Sequence, residues 1–263
     1  MYSYKFENGR ISQFIDLTCN LASYLEEFTE IVKEIARCIL ENGDRSLSAV
    51  NQIISNWISF WANKRDEILS EENQIGLICE LIVLNNLCKI NPQNALKTWK
   101  GPLGEKQDFN FTDWTLEVKG TRKLKRTHIV NGLDQLKPIA KKNLAFISFQ
   151  ITESTNDNSI NLPGLIDTVI KFHFKNKPAL IIIFNELLAS VGYNPVHAEE
   201  YRRFNVEILE STIYTVNDRF PKLTSDMLKE PINANVSSIW YHISLDGIEG
   251  KNLNNINWGD YFY

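Results

Sequence analysis

The sequence predicts a mixed α/β (α+β) fold, with helices first, then a mixed β-sheet with helices between its strands, then late strands. Three observations predict it. Residues 1–70 are rich in apolar residues at helical spacing, residues 143–151 ("NLAFISFQI") form the apolar run of a buried strand, and residues 203–216 and 236–245 look like strands. We therefore expect an N-terminal helical subdomain over residues 1–70 and a core with C-terminal strands over residues 71–263.

The N-terminal region is predicted to contain two helical segments. Residues 11–40 have the apolar spacing of one long amphipathic helix or of two in series, and residues 47–69 have a large apolar face. Between them, residues 41–46 ("ENGDRS") have the composition of a turn.

The core is predicted to alternate helices with strands. Its further elements are a helix over residues 71–90, a short helix over 91–99, a hairpin over 108–120, a strand near 126–130, a short helix over 131–138 ended by Pro138, and helices over 162–174 and 179–192. Pro163 suits the first turn of the helix over 162–174, and Gly192 suits the end of the last helix.

The helix over residues 71–90 is apolar on nearly all sides, yet Glu80 lies in its middle. A buried carboxylate without a partner is costly, or it takes up a proton. Glu80 therefore needs an arginine, a hydrogen-bond network or a metal ion. Alternatively, Glu80 is a purely structural residue, either buried with its hydrogen bonds satisfied or located on a narrow exposed stripe of the helix. Periodicity alone favours this structural role.

Composition argues against several classes of protein. The longest apolar cluster, residues 179–184, is far shorter than the roughly 20 residues that cross a bilayer, and no signal-peptide pattern is visible. No C-x-x-C pair is present, which predicts buried reduced thiols and a cytoplasmic protein. The histidines are scattered, and neither a nucleophile motif nor a phosphate-binding Gly-rich loop is present. The four cysteines are Cys19, Cys38, Cys79 and Cys88.

The net charge of −4 gives the whole molecule no bulk attraction for nucleic acid, but residues 119–126 ("KGTRKLKR") form a local cationic strip. Beside an acidic cluster, such a strip suits a site that binds phosphate and a cation. From charge alone, a solvated edge strand with protective lysines is the favoured interpretation. The candidate substrate-binding residues of the strip are Arg122, Lys123, Lys125 and Arg126.

The hairpin over residues 108–120 ("DFNFTDWTLEVKG") has the strongest site signal. Glu117 and Lys119 share one face of its second strand. A two-residue loop at residues 113–114 would pair Asp108 with Lys119 and place it diagonal to Glu117. A loop with an odd number of residues would move Asp108 to the far face, so the chemistry requires an even-length turn, or a bulge that restores parity.

Two carboxylates at short range repel each other unless one is protonated or a cation lies between them. The hairpin offers only oxygen ligands, which favours Mg²⁺ or Mn²⁺ over Zn²⁺. Lys119 beside such a pair can position a water molecule or stabilise charge on a phosphate. A second E-x-K, at residues 249–251, lies in Gly-rich turn sequence, and we reject it as a site.

Asp108 followed by E-V-K at residues 117–119 resembles the D…E-x-K core of the PD-(D/E)XK nuclease superfamily. Further segments over about residues 71–250 resemble one bacterial family, whose members often lie beside DNA methyltransferases and ATPases in restriction-like defence loci. These segments are "GLICELIVLNNL", "WKGPLGEKQDFNF", "LEVKGT", "HIVNGLDQL", "NELLASVGY" and "YRRFNVEILESTIYTVNDRFPKL". The resemblance implies a restriction-endonuclease-like fold with a central mixed sheet flanked by helices.

The resemblance also implies roles for single residues. Asp108 and Glu117 would bind the metal, and Lys119 would orient the attacking water. Glu80 would hold a water molecule or a second metal. Gln135, in "LDQL", matches a position that is often polar in the superfamily and is a further candidate for substrate binding.

The leading hypothesis is a Mg²⁺-dependent DNA phosphodiesterase, the nuclease of a bacterial restriction or defence system, with 5′-phosphate and 3′-hydroxyl products implied by the family. An alternative is an inactive nuclease-like fold that binds DNA or scaffolds an ATPase or methyltransferase partner. A third is a helical interaction protein whose hairpin has no catalytic role. The acidic net charge predicts weak unaided binding to DNA, and hence reliance on partner proteins or a homodimer.

Overall fold

The computed structural model describes residues 2–5, 7–14, 25–41, 68–156, 159–230, 232–233 and 235–259, and the single residues 18, 50 and 53. The chain divides into two compact units, Met1–Glu67 and Ile68–Tyr263. In the first unit, β1 (Tyr2–Lys5) pairs antiparallel with β2 (Ile11–Phe14), and α1 (Leu25–Glu41) follows.

The β1–β2 hairpin shows that the prediction of helix from residue 11 is wrong at residues 11–14. Its turn contains Asn8 and Gly9, a strong hairpin signal that outweighs the apolar spacing. Gly9 has a φ of 79°, and the Arg10 N–H donates to Asn8 Oδ1 over 3.1 Å. Of the predicted helix over residues 47–69, only residues 50, 53 and 68–69 are described, and the first two are helical.

The second unit contains the sheets and most of the described helices. Its strands are β3 (Phe109–Asn110), β4 (Trp114–Thr121), β5 (Thr127–Asn131), β6 (Asn143–Glu153), β7 (Val206–Thr215), β8 (Trp240–Ser244) and β9 (Lys251–Asn252). Its α-helices are α2 (Glu71–Cys88), α3 (Pro92–Thr98), α4 (Leu162–Val169), α5 (Pro178–Ser190) and α6 (Ala198–Tyr201). A π-helix, Ile170–Phe174, continues α4, and 3₁₀ turns occupy Gly101–Leu103, Pro195–His197, Ser225–Met227 and Leu253–Asn255.

The central sheet has five strands in the order β3-β4-β6-β7-β9. Strands β4 and β6 are parallel, and the other neighbours are antiparallel. A separate two-stranded antiparallel sheet consists of β5 and β8. The predicted mixed α/β fold, a central mixed sheet flanked by helices, is therefore confirmed.

Two apolar cores use opposite faces of the central sheet. Val118 and Ile147 are register partners and belong to the core that contains α2, α4 and α5. Phe146, the neighbour of Ile147 in β6, points to the other face, where it joins a core with Val130 of β5 and Ile243 of β8. The alternation of β6 thus places helices on one face and the small sheet on the other.

Helix α2 lies directly against β4 because residue 120 has no side chain. A Cβ at Gly120 would come within 2.6 Å of Ile75 Cγ2 and 2.8 Å of Cys79 Sγ. The Ser70 hydroxyl caps the helix by accepting from the Asn73 N–H at 3.3 Å. This close contact fixes Glu80, the residue after Cys79, relative to the hairpin.

One predicted core helix, over residues 131–138, is wrong. This segment is an irregular turn that follows β5. Gly132 has a φ of 82°, and Gln135 Oε1 accepts the Asn131 N–H at 2.9 Å. The side chain of Gln135 thus accepts a hydrogen bond from the backbone N–H at the end of β5, and this interaction competes with helix formation.

The described residues bear on two predictions, the buried reduced thiols and the lack of a membrane-spanning segment. Cys79 and Cys88 are buried free thiols, whereas Cys19 and the side chain of Cys38 lie outside the described residues. No single helix in the described part of the chain is long and apolar enough to cross a membrane. One bent pair, Pro178–Ser190 with Pro195–Tyr201, passes that test by length and composition.

Candidate metal centre at the β3–β4 hairpin

The hairpin turn is centred on Thr112 and Asp113, one position earlier than predicted. The Phe111 N–H donates to the Trp114 carbonyl at 2.9 Å, and Asn110 pairs with Thr115. The even-length turn is confirmed, but the predicted register is wrong by two residues. Trp114 explains the shift, because it packs against the core as the first residue of β4 and leaves two exposed polar residues to form the tip.

Asp108 is held by backbone hydrogen bonds. Continuation of the observed register brings it opposite Glu117, so the predicted pairing of Asp108 with Lys119 is wrong. Its Oδ2 accepts the Val118 N–H at 2.7 Å. Its backbone carbonyl accepts the N–H groups of residues 100 and 101, at 2.7 and 3.0 Å. The carboxylate therefore has a fixed position, and the loop before β3 folds against it.

Glu80 shares a small space with Asp108. Trp99 donates its indole N–H to Glu80 Oε2 at 2.7 Å. A Cβ at Gly101 would overlap Glu80 Oε2 and would lie 3.1 Å from Asp108 Oδ1. Both carboxyl groups thus face the space beside Gly101, which is open only because that residue is glycine.

Glu117 and Lys119 form an ion pair on the polar face of β4. Lys119 Nζ lies 3.0 Å from Glu117 Oε1. Only 1% of Glu117 is exposed, and its Oε2 is buried without a hydrogen-bond partner among the described residues. A buried carboxylate oxygen without a partner is costly, so Glu117 Oε2 is suited to bind a cation or accept from a hydrogen-bond donor.

Burial raises the pKa values of all three acids, and repulsion from a neighbouring carboxylate adds to this for Glu80 and Glu117. Burial is the larger cause for Glu80 and Glu117, and the negative charge of Asp108 raises both pKa values further, to well above their ordinary value. Burial also raises the pKa of Asp108 to about 6, against the opposing effects of the Val118 N–H and the Lys119 charge. Glu80 and Asp108 keep part of their surface accessible to solvent, unlike Glu117. Such a group of perturbed acids is typical of functional sites.

These residues fit a hard divalent cation held by two carboxylates. The unsatisfied Glu117 Oε2 and the facing carboxylate of Asp108 supply oxygen ligands, and Mg²⁺ binds through one or two carboxylates with water completing its shell. In the described residues no three His, Cys, Asp or Glu side chains are grouped closely enough to coordinate one ion. The fit is therefore to a site completed by water and substrate rather than to a closed protein cage.

The cationic strip divides into two kinds of residue. Arg122 forms ion pairs with Glu71 at 2.7 Å, with Glu72 at 3.0 Å and with Glu153 at 2.7 Å. These bonds link β4 to the start of α2 and to the end of β6. Arg122 is therefore occupied within the fold, in contrast to its predicted role toward substrate.

Arg126 is occupied in the same way, whereas two lysines of the strip are not. Arg126 Nη1 donates to Thr212 Oγ1 at 2.8 Å and to Tyr214 Oη at 2.7 Å, and the guanidinium pairs with Glu210. Lys123 and Lys125 are exposed and make no ion pair with a described residue. Among the described residues, these two lysines are the cations of the predicted set that have no acid partner.

Gln135 has contacts that stabilise the fold. Besides the bond from the Asn131 N–H, its backbone carbonyl accepts Gln107 Nε2 at 3.2 Å. Gln107 is buried and immediately precedes Asp108. Gln135 therefore supports the start of the hairpin, and it is not among the residues gathered around the Glu117 carboxylate.

Sequence reasoning missed Trp99 and Gly101. Trp99 reaches Glu80 across 19 positions of the chain, and no local pattern indicates such a contact. Gly101 stands in "KGPLGE", which signals a turn and says nothing of a nearby carboxylate.

Two cavities lined by described residues bear on the position of the site. One of about 330 Å³ is lined by Glu80 together with Asn73 and Gly76 of α2. A larger one of about 500 Å³, lined by residues such as Trp114 and Phe220, contains none of the predicted site residues. We place the candidate centre by its carboxylates rather than by cavity size.

A family model described as "Putative PD-(D/E)XK family member, (DUF4420)" matches residues 3–246. No curated protein and no solved structure matches the chain. The matched range includes Glu80, Asp108, Glu117 and Lys119, and it ends before the rejected E-x-K at residues 249–251.

Proposed function

The chain belongs to this family of PD-(D/E)XK members, and from that premise we propose that it is a Mg²⁺- or Mn²⁺-dependent DNA phosphodiesterase. The observation that carries the proposal is the buried, unpartnered Glu117 Oε2, which lies in one site with Asp108 and Lys119. A fold that needed this carboxylate only for stability would give both of its oxygens a partner.

Each residue of the centre has a distinct task in the proposed reaction. A divalent cation held by Asp108 and Glu117 would supply Lewis-acid stabilisation of the charge that develops on the scissile phosphate. Lys119, oriented by its 3.0 Å contact with Glu117, positions the attacking water. Water adds to phosphorus as the bond to the 3′ oxygen breaks, which leaves a 5′-phosphate and a 3′-hydroxyl.

Glu80 is proposed to hold a second water molecule or a second metal ion. Its Oε2 is fixed by Trp99, while its other oxygen makes no hydrogen bond with a described residue. Burial, and then the negative charge of Asp108, raise the pKa of Glu80 well above its ordinary value, which favours the neutral carboxyl group, a form that can donate as well as accept a hydrogen bond.

We also propose that the protein works in an assembly. With a net charge of −4 and with Arg122 and Arg126 paired with acids of the fold, the cationic strip has two lysines, Lys123 and Lys125, left to bind phosphate. Partner proteins, such as an ATPase or a methyltransferase of a bacterial restriction or defence system in the cytoplasm, or a second copy of the chain, would supply the missing affinity.

The experiment that tests the proposal compares wild type with Lys119→Ala on supercoiled plasmid at low salt. We expect Mg²⁺- or Mn²⁺-dependent cleavage by wild type and a loss of about 100-fold or more in the variant, because a positioned charge at the reacting phosphate is removed. Lys175→Ala, at an exposed lysine elsewhere, is the matched control and keeps full activity. Equal cleavage by Lys119→Ala, or cleavage that survives EDTA, would overturn the proposal.

An inactive nuclease-like scaffold is the second candidate, favoured by the absence of three convergent ligands among the described residues. It predicts a protein that binds DNA or a partner but cleaves nothing with either metal. It also predicts no rise in melting temperature on addition of Mg²⁺ or Mn²⁺, whereas an ion that binds the folded state raises it.

A further inference from the structure

The turn between β4 and β5 presents a leucine at its tip. Leu124 is 96% exposed, the largest exposure of any large apolar side chain among the described residues. Single exposed apolar residues are common on protein surfaces, so exposure alone carries little weight. The neighbours of Leu124 give it a more specific meaning.

The backbone of this turn is held in a fixed shape. Gln150 Nε2 donates to the carbonyl oxygens of Lys123 and Leu124, at 3.0 and 2.9 Å. The Lys123 N–H donates to Thr121 Oγ1 at 3.2 Å, and the Thr127 N–H donates to the Lys125 carbonyl at 2.7 Å. Leu124 is therefore held outward by hydrogen bonds on both sides of the tip.

The two residues beside Leu124 are the cations of the strip that remain free of acids. Lys123 and Lys125 are exposed and form no ion pair with a described residue, while Arg122 and Arg126 just outside them are paired with glutamates. An apolar tip between two unpaired cations complements a polyanion that has an apolar interior. Duplex DNA has this character, with charged phosphates outside and stacked bases inside.

The tip is close to the candidate centre along the chain. Leu124 follows Lys119 by five residues, and five residues of extended chain span at most about 18 Å. The major groove of B-DNA is about 12 Å wide. Since base pairs of B-DNA are about 3.4 Å apart along the helix axis, this upper limit places Leu124 within about five base pairs of a scissile phosphate at the centre.

We propose that Leu124 inserts between stacked bases of the bound DNA, with Lys123 and Lys125 on the flanking phosphates. This inference rests on the proposed function and adds how the substrate is held. An apolar wedge unstacks one base step and kinks the duplex. A leucine side chain makes no hydrogen bond to a base edge, so any sequence preference arises from the deformability of the DNA. Flexible pyrimidine–purine steps are therefore favoured.

The test measures base unstacking apart from cleavage. Lys119→Ala, as a cleavage-deficient background, is titrated at low salt into duplexes that carry 2-aminopurine at a TA step. We expect binding to raise the 2-aminopurine fluorescence, and we expect the added change Leu124→Ala to abolish that rise and weaken binding about tenfold. Leu40→Ala, at another exposed leucine, is the matched control and leaves both unchanged.

The lysines are tested by salt dependence. Removing both with Lys123→Ala and Lys125→Ala should reduce the slope of log K against log salt by about 0.9 per lysine, as lost phosphate contacts do. Fluorescence of the fully bound duplex should stay high, because Leu124 is intact. The single change Lys175→Ala should leave the slope unchanged.

The outcomes separate this inference from the proposed function. Metal-dependent cleavage by wild type, with a fluorescence rise that Leu124→Ala does not alter, overturns the wedge and leaves the nuclease standing. If the protein cleaves no DNA but shows a fluorescence rise that depends on Leu124, the insertion of Leu124 is supported and the proposed nuclease function is contradicted. Unchanged DNA binding together with loss of self-association in Leu124→Ala places the tip in a protein interface and overturns the wedge.

Discussion

The two faces of β4 differ in what they contribute to the molecule. On one face Leu116 and Val118 are buried in the main core, and Gly120 lets α2 lie against the strand. On the other face Glu117 and Lys119 form an ion pair that leaves a buried carboxylate oxygen unsatisfied. One strand of eight residues thus anchors the fold on one side and holds reactive groups in an unfavourable state on the other.

This difference means that substitutions on the two faces should change stability in opposite directions. The apolar face is close-packed, so added volume destabilises it. The polar face holds Glu117, whose ionised form is disfavoured by burial and by the charge of Asp108, so removal of its charge should stabilise the metal-free chain while it harms function.

The largest expected effect comes from Glu117→Gln. Loss of a proposed metal ligand should reduce cleavage about 100- to 1000-fold. In EDTA the variant should melt about 2–4 °C above wild type, which corresponds to about 1 kcal/mol in a chain of this size, because a buried charge has been removed. Plasmid cleavage and thermal melting measure the two effects.

Glu230→Gln, at an exposed glutamate, is the matched control for Glu117→Gln and should change neither quantity. A lower melting temperature for Glu117→Gln in EDTA would contradict the view that the polar face is destabilising, since it would show that the Lys119 ion pair stabilises the fold more than burial of the carboxylate costs.

The next effect is on pH dependence. Burial raises the pKa of Asp108 to about 6, so below pH 6 the carboxyl is protonated and Mg²⁺ affinity should fall about tenfold per pH unit. Since the folded-state pKa lies above the ordinary value of 3.8, protonation favours the folded state. The metal-free chain should therefore gain stability as the pH falls from 7 through 6 toward 4.

Thermal melts with and without Mg²⁺ over this pH range measure both trends. Asp108→Asn keeps an oxygen that can accept the Val118 N–H but has no ionisable group, so its metal-free stability should vary less with pH than that of wild type. Equal pH dependence in the two proteins would assign the effect to other acids.

The comparison of the two faces also shows what the sequence could predict. Alternation in β4 and the parity of the turn were sufficient to place Glu117 and Lys119 on one face and to bring Asp108 near them. The position of the turn was not predictable from turn propensities alone, because Trp114 joins the strand only through contacts with the rest of the core. The local sequence therefore predicts that the turn has an even number of residues, whereas tertiary packing determines which residues of β3 and β4 pair.

Partners distant in sequence were equally beyond local patterns. From the local sequence, Arg122 is predicted to bind substrate, but in the structure it forms ion pairs with acids at the start of α2 and at the end of β6. The hydrogen bond from Trp99 to Glu80 likewise joins residues on different elements. Conversely, the hairpin signal of Asn8 and Gly9 is local and readable in the sequence, and in the structure it outweighs the helical apolar spacing of the residues that follow.

On the apolar face, Gly120→Ala should destabilise the fold by about 1–3 kcal/mol, because its Cβ would overlap Ile75 and Cys79. The helix must shift to accommodate it, and Glu80 would move with the helix, so cleavage should fall as well. Urea denaturation and plasmid cleavage measure these effects. A variant as stable as wild type would show that α2 can move away from β4 without loss of packing.

The smallest expected effect is from Gly76→Ala, the matched control for Gly120→Ala, in the helix that packs against Gly120. Gly76 lies within α2, and a Cβ there would meet no described atom within 4 Å. Alanine in a helix interior is favoured over glycine by about 1 kcal/mol, so urea denaturation should show a gain of up to that amount with cleavage unchanged. A gain in stability combined with a loss of cleavage would instead show that substrate needs the open space beside Glu80, which Gly76 lines.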